Sequence, residues 1–167
     1  MGRTMAEKEL RSFMNLRVLK KSRHIPQAGD IFVMQLPDTH YLFGRVINTN
    51  AKIGPMENCI LIYIYNIRTV RKLPIPELTT VHLLVPPMMT NRLPWTRGYF
   101  EHLTNCILTP ENLLTKHCFM SSRNQYFDEY SNKLSKPSSP IGDWGLDSYR
   151  TIDDAISEAL EIPLAPD

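Results

Sequence analysis

Over most of its length the chain gathers its apolar residues into short continuous blocks separated by turn residues, which is the pattern of strands. Ile31-Phe32-Val33-Met34-Gln35-Leu36 is continuous enough for a strand buried on both faces or set in a tight barrel. Pro37-Asp38-Thr39-His40 is turn chemistry, because proline suits the first central position and aspartate bonds its own backbone. Tyr41 to Ile47 returns, so residues 31–47 read as a hairpin. Gly44 inside the returning strand marks a bulge or a close backbone approach. Cys59 to Tyr65 (CILIYIY) carries the strongest strand signal, dense in β-branched and aromatic residues. Further strands are expected at Thr80–Val85, Gly98–Leu108, His117–Met120 and Gln125–Tyr130.

Helical spacing occurs twice. Ala6, Leu10, Phe13 and Met14 allow a short helix in the leader. Near the other end Ile152, Ala155, Ile156, Ala159 and Leu160 form one apolar stripe, with Thr151 as N-cap and Asp153-Asp154 in the first turn. The spacing predicts a helix over 152–161, ended by Pro163. The expected fold is mainly β within the α+β class. It is a small curled antiparallel sheet or SH3-like barrel with the C-terminal helix packed on it.

A chain of 167 residues fits one domain. Residues 1–24 are expected to form a basic leader, partly disordered or helical, and residues 25–167 a single β-rich domain. Cys59, Cys106 and Cys118 are too few and too scattered for a disulfide framework, which fits a reducing compartment. No apolar segment is long enough to span a bilayer and no signal peptide is visible, so a cytoplasmic location is expected.

Charge is unevenly placed. Residues 1–99 hold 14 Lys and Arg against 6 Asp and Glu, whereas residues 100–167 hold 5 against 11. Either the halves neutralise each other in the fold, or one of them meets a charged partner.

Candidate chemistry adds little. His102 and Cys106, with His117-Cys118, form the His/Cys cluster of the sequence. On a strand, positions 102 and 106 share a face but stand about 13 Å apart, too far for one ion. No metal or other cofactor is therefore expected. Nucleophile elbows and phosphate-binding loops are absent from the sequence. Arg92, Trp95 and Arg97 interleave charge with an aromatic ring, as a single-strand nucleic-acid platform does. The same residues are equally a core tryptophan with flanking surface charge.

Gly29-Asp30-Ile31-Phe32, Leu36-Pro37-Asp38 and Tyr41 through Gly44-Arg45-Val46 resemble the bacterial Imm26-type immunity proteins of polymorphic toxin systems. Gly145-Leu146, Ser148-Tyr149 and Thr151 through Ala155 carry the same likeness near the end of the chain. The similarity extends over roughly residues 25–160. The basic leader and the proline-rich stretch PIPELTTVHLLVPPMM depart from it. The resemblance implies a non-enzymatic inhibitor that binds a cognate toxin inside the cell that makes it.

Two functions are thus in view: an immunity protein that neutralises a toxin, and a small barrel that binds nucleic acid through its basic half. Under the first, Glu101, Asp128 and Glu129 are the expected partner contacts, because no helix cap accounts for them. Gly29, Asp30, Phe32, Gly44 and Arg45 are read as a structural motif. Asp30 orients the turn into the first strand, Phe32 and Phe43 pack, Gly44 permits a bend, and Arg45 pairs with Asp30 or Asp38.

Overall fold

The computed structural model describes residues 14–166, and the helix expected around Ala6–Phe13 lies outside them. Two sheets form the body. The larger has six strands in the order β10-β4-β3-β2-β1-β5. They are β1 (Asp30–Gln35), β2 (Tyr41–Ile53), β3 (Met56–Thr69), β4 (Met88–Thr90), β5 (Glu101–Asn105) and β10 (Leu146–Asp147). Pairing is antiparallel except between β10 and β4. The smaller sheet runs β8-β7-β6-β9, from β6 (Cys118–Met120), β7 (Tyr126–Phe127), β8 (Lys133–Leu134) and β9 (Ile141–Asp143). The mainly β, curled-sheet expectation holds. The closed barrel does not form, because β10 and β5 remain as the two edges of the larger sheet.

The continuous apolar runs have a plain cause: the middle of the large sheet is buried on both faces. One face presents Phe32, Met34, Leu42, Val46, Ile60, Ile62 and Ile64 to Trp95, Phe100, Ile152 and Ile156. The opposite face sets Leu61, Tyr63, Tyr65 and Met89 against Phe119 of the small sheet. Ile31, Val33 and Phe43 continue that second face. Phe32 and Phe43 are both fully buried, on opposite sides of the sheet.

Gly44 earns its place in the middle of β2. It stands directly opposite Phe32, and a Cβ there would collide with the Phe32 ring at its Cζ. The ring instead lies over the bare backbone, stacked 4.3 Å from Phe100 and edge-on to Trp95 at 5.2 Å. The β2–β3 register also shifts between Leu42 and Gly44, so bulge and close approach coincide.

Proline and turn residues redirect the middle of the chain. Thr80–His82 is a single 3-10 turn capped by Thr79, where a strand was expected, and Tyr65 and Leu83 form an isolated bridge. Prolines at 74, 76, 86 and 87 leave too little free backbone there for a ladder. A short helix, α1 (Leu93–Thr96), precedes Gly98, whose φ of 87° ends it and delays the next strand to Glu101.

The C-terminal helix α2 spans Tyr149–Ala159, with Ser148 rather than Thr151 as its cap: Ser148 Oγ accepts from the Thr151 N–H. Asp153 therefore lies beyond the first turn, and it does different work. It is fully buried, and its two oxygens accept the Asn15 N–H at 3.0 Å and the Leu16 N–H at 2.7 Å. Asn15 Nδ2 also donates to Ser157 Oγ at 2.8 Å. From this clasp the segment runs on extended, donating from Arg17 to the Gln35 carbonyl, from Leu19 to Gly98 and from Ser22 to Trp95. Residues 14–22 thus form a strap from α2 across the end of β1 to α1.

Two substitutions test this packing. Gly44→Val is expected to lower stability by about 2–3 kcal/mol, since the new side chain must displace an aromatic ring locked among two others. Ile156→Ala is expected to cost about 2–4 kcal/mol by opening a cavity under α2. Denaturant melts with unchanged slope measure both, and a Gly44→Val midpoint equal to wild type contradicts the ring-over-glycine account.

Candidate functional site

The motif at the start of β1 is a hydrogen-bonded hub. Gly29 takes a φ of 91°, and its N–H donates to the Val46 carbonyl. Asp30, 1% exposed, accepts from the Gln27 N–H, from His24 Nε2 and from Asn105 Nδ2, each at 2.8 Å. Asp30 thus holds the chain where it enters β1.

Arg45 does not make the expected ion pair. It stands opposite Ile31 in register, so strand alternation places it on the other face from Asp30. Asp38 is held at the β1–β2 turn by His40. The buried Arg45 guanidinium instead donates from Nη2 to the Cys106 carbonyl at 2.7 Å.

Of the three acids expected to meet a partner, Glu101 lies on β5 and Asp128 and Glu129 lie together in the β7–β8 turn, and each has a partner inside the chain. Glu101 on β5 pairs with Lys72 at 2.9 Å. Asp128 accepts the backbone N–H groups of Tyr130 and Asn132, closing the β7–β8 turn. Glu129 is bonded to His117 Nδ1. His117 Nε2 meets the Tyr63 hydroxyl, which also accepts from the Leu114 N–H at 3.1 Å. One arrangement satisfies every member: Leu114 N–H to Tyr63, Tyr63 O–H to Nε2, and Nδ1–H to Glu129. Burial pushes the Tyr63 phenol up to about 12, so the hydroxyl stays protonated at neutral pH and braces β3 against the small sheet.

Trp95 is fully buried, with its ring edge-on to Phe32 and Phe100. It cannot offer a stacking surface to nucleic acid, and the reading built on it loses its support.

What spacing along the chain did not reveal is an acidic cavity. The turn Leu84–Met88, strand β9, β10 and one side of α2 enclose an open cavity of about 410 Å³. Asp143, Asp147 and Glu158 line it, and no basic residue does. Asp143 and Glu158 are exposed, whereas Asp147 is 8% exposed and makes no side-chain hydrogen bond or ion pair among the described residues. The cavity depends on a close contact: a Cβ on Gly142 would collide with the Pro87 carbonyl, so only glycine lets β9 approach the proline turn. Burial, and then the charge of Asp143, push the Asp147 carboxyl up to about 7. A carboxylate held this way, with acidic neighbours and no counter-ion, is set to receive a cationic group.

A raised carboxyl favours folding where it is protonated, and that advantage is lost as pH climbs from its unfolded value near 4 through its folded value near 7. Asp147→Asn is therefore expected to leave stability nearly unchanged at pH 4 and to raise it by about 1–3 kcal/mol at pH 8. Thermal melts at the two pH values check this, and equal effects at both deny Asp147 a buried, unpaired charge.

Comparison with known proteins returns one family. The model of Immunity protein 26 matches residues 27–128, which cover the motif hub apart from His24, β1 to β7 and the Leu84–Met88 wall of the cavity. The C-terminal resemblance and the wall formed by β9, β10 and α2 lie beyond the match. Searches of curated proteins and of solved structures return no match. With its matched stretch covering well over half of the residues, the chain belongs to the Immunity protein 26 family.

Proposed function

We propose that the protein binds and neutralises a cognate bacterial toxin without catalysis, its acidic second half forming the contact. The observation that carries this reading is Asp147: a nearly buried carboxylate with no side-chain partner among the described residues, on a largely apolar cavity whose charged lining residues are all acids. A lysine or arginine of the toxin entering that cavity supplies the missing counter-charge and relieves the cost of keeping Asp147 ionised. Buried charge pairs of this kind set dissociation rates, whereas acids farther out steer the encounter. Glu101, Asp128 and Glu129 are assigned the outer role, because each already holds a partner within the chain.

The test uses the toxin encoded by the neighbouring gene. Asp143→Asn, Asp147→Asn and Glu158→Gln together are expected to weaken binding by at least about 30-fold, chiefly through faster dissociation, and to abolish protection on co-expression. Neutralising Glu101, Asp128 and Glu129 is expected mainly to slow association at low salt. Unchanged affinity and survival with the folded cavity variant move the contact elsewhere. Salt-sensitive binding of oligonucleotides, with none to the toxin, restores the nucleic-acid function.

A further inference from the structure

His24, Asp30 and His102 come from three separate places: the segment that leads from the strap into β1, the first residue of β1, and β5. The fold gathers them so that one potential ligand atom from each lies within 4.8 Å of the others. His24 Nε2 is 2.8 Å from Asp30 Oδ2, and His102 Nδ1 is 3.7 Å from the same oxygen. We propose that these three side chains form a binding site for a divalent transition metal of the zinc type, one ion per chain, which fastens the strap to the sheet.

Three features support it. The first is His102 Nδ1, which is buried and has no hydrogen-bond partner. At 3.7 Å it is too far from Asp30 to bond that carboxylate. In a tetrahedral site with bonds of about 2.0–2.1 Å, ligand atoms stand roughly 3.4 Å apart, and the two measured separations bracket that spacing.

The second is orientation. Asp30 is held from outside by the Gln27 N–H on Oδ2 and by Asn105 on Oδ1, the kind of outer support that fixes a metal-binding carboxylate. The third is access. The His24 and His102 side chains are 31% and 26% exposed, so an ion can enter and keep a water in its fourth position.

The imidazoles are stacked, with ring centres 3.9 Å apart and planes 22° from parallel. Binding requires them to open further so that both in-plane lone pairs reach the ion. The ion takes the place of the proton shared by His24 Nε2 and Asp30, which leaves to solvent, while Nδ1 keeps, or takes up from solvent, the single proton of a neutral ring. Two imidazoles and one carboxylate suit zinc, cobalt or nickel and not magnesium or calcium. The site is independent of toxin binding, since it lies among residues that do not line the acidic cavity.

Tag-free protein, freed of metal by chelation, is titrated with Zn²⁺, Co²⁺ and Mg²⁺ while melting temperature and heat of binding are recorded. Zn²⁺ is expected to bind at one equivalent and raise the melting temperature, Co²⁺ to develop visible absorption of a low-coordinate site, and Mg²⁺ to do neither. His24→Ala and His102→Gln, each checked for a cooperative melt without metal, are expected to weaken Zn²⁺ by at least about 100-fold, more than loss of an outer-shell partner does. Cys106→Ser is expected to change nothing. Absence of a Zn²⁺-dependent shift in wild type overturns the proposal. So does binding that survives in the His24→Ala, His102→Gln double variant, or binding that needs Cys106.

Discussion

A sheet buried on both faces needs two covers, and this requirement shapes everything outside β1, β2 and β3. On one side the cover is assembled from pieces distant in sequence: α1, Phe100, α2 and the Met14–Leu16 strap. On the other the small sheet brings Phe119 down onto Leu61, Tyr63 and Tyr65. Apolar burial supplies the gross stabilisation. Polar contacts then decide where each cover sits. Asp153 fixes the strap on α2, Asp30 fixes the entry to β1, and Tyr63 with His117 and Glu129 fixes the approach of the small sheet.

Elements with a strong local pattern were legible along the chain. The 31–47 hairpin, the CILIYIY strand and the amphipathic helix each carry their periodicity in a single window, and the role of Gly44 followed from its position inside a strand. Strands of two or three residues, such as β7 to β10, have no window long enough to show a period. The Thr80–Val85 block looked like a strand because β-branched residues are frequent there, yet the flanking prolines removed its pairing partners. Asp153 looked like a first-turn acid favoured by the helix dipole, because its spacing from Thr151 allowed it. Only the three-dimensional placement of Asn15 and Leu16 reveals its partner, 137 and 138 residues away. The acidic cavity was out of reach for the same reason, since its walls come from residues 84–88 and 141–159. The uneven charge along the chain did point to the half that carries it.

The acids of that second half divide by how their charge is met. Glu101, Asp128 and Glu129 are satisfied within the chain and contribute to the fold, whereas Asp147 has no side-chain partner among the described residues. An uncompensated buried charge is the sort of local inconsistency that a fold tolerates where function requires it. The family match includes the proline wall of the cavity but not the acidic wall facing it. The matched stretch and the acids that line the cavity therefore lie in different parts of the chain.

The clasp between the strap and α2 also imposes an order on synthesis. A ribosome releases Met14, Asn15 and Leu16 long before Asp153 and Ser157, so during translation these residues wait without partners. Throughout that interval Phe32, Trp95 and Phe100 lack the Ile152 and Ile156 side chains that close over them. The acidic cavity is equally unformed until residues 141–159, its second wall, have followed residues 84–88. A nascent chain thus has the hairpin and the long strands but no completed cavity, and one truncated before α2 exposes an aromatic face to the cell's quality-control machinery.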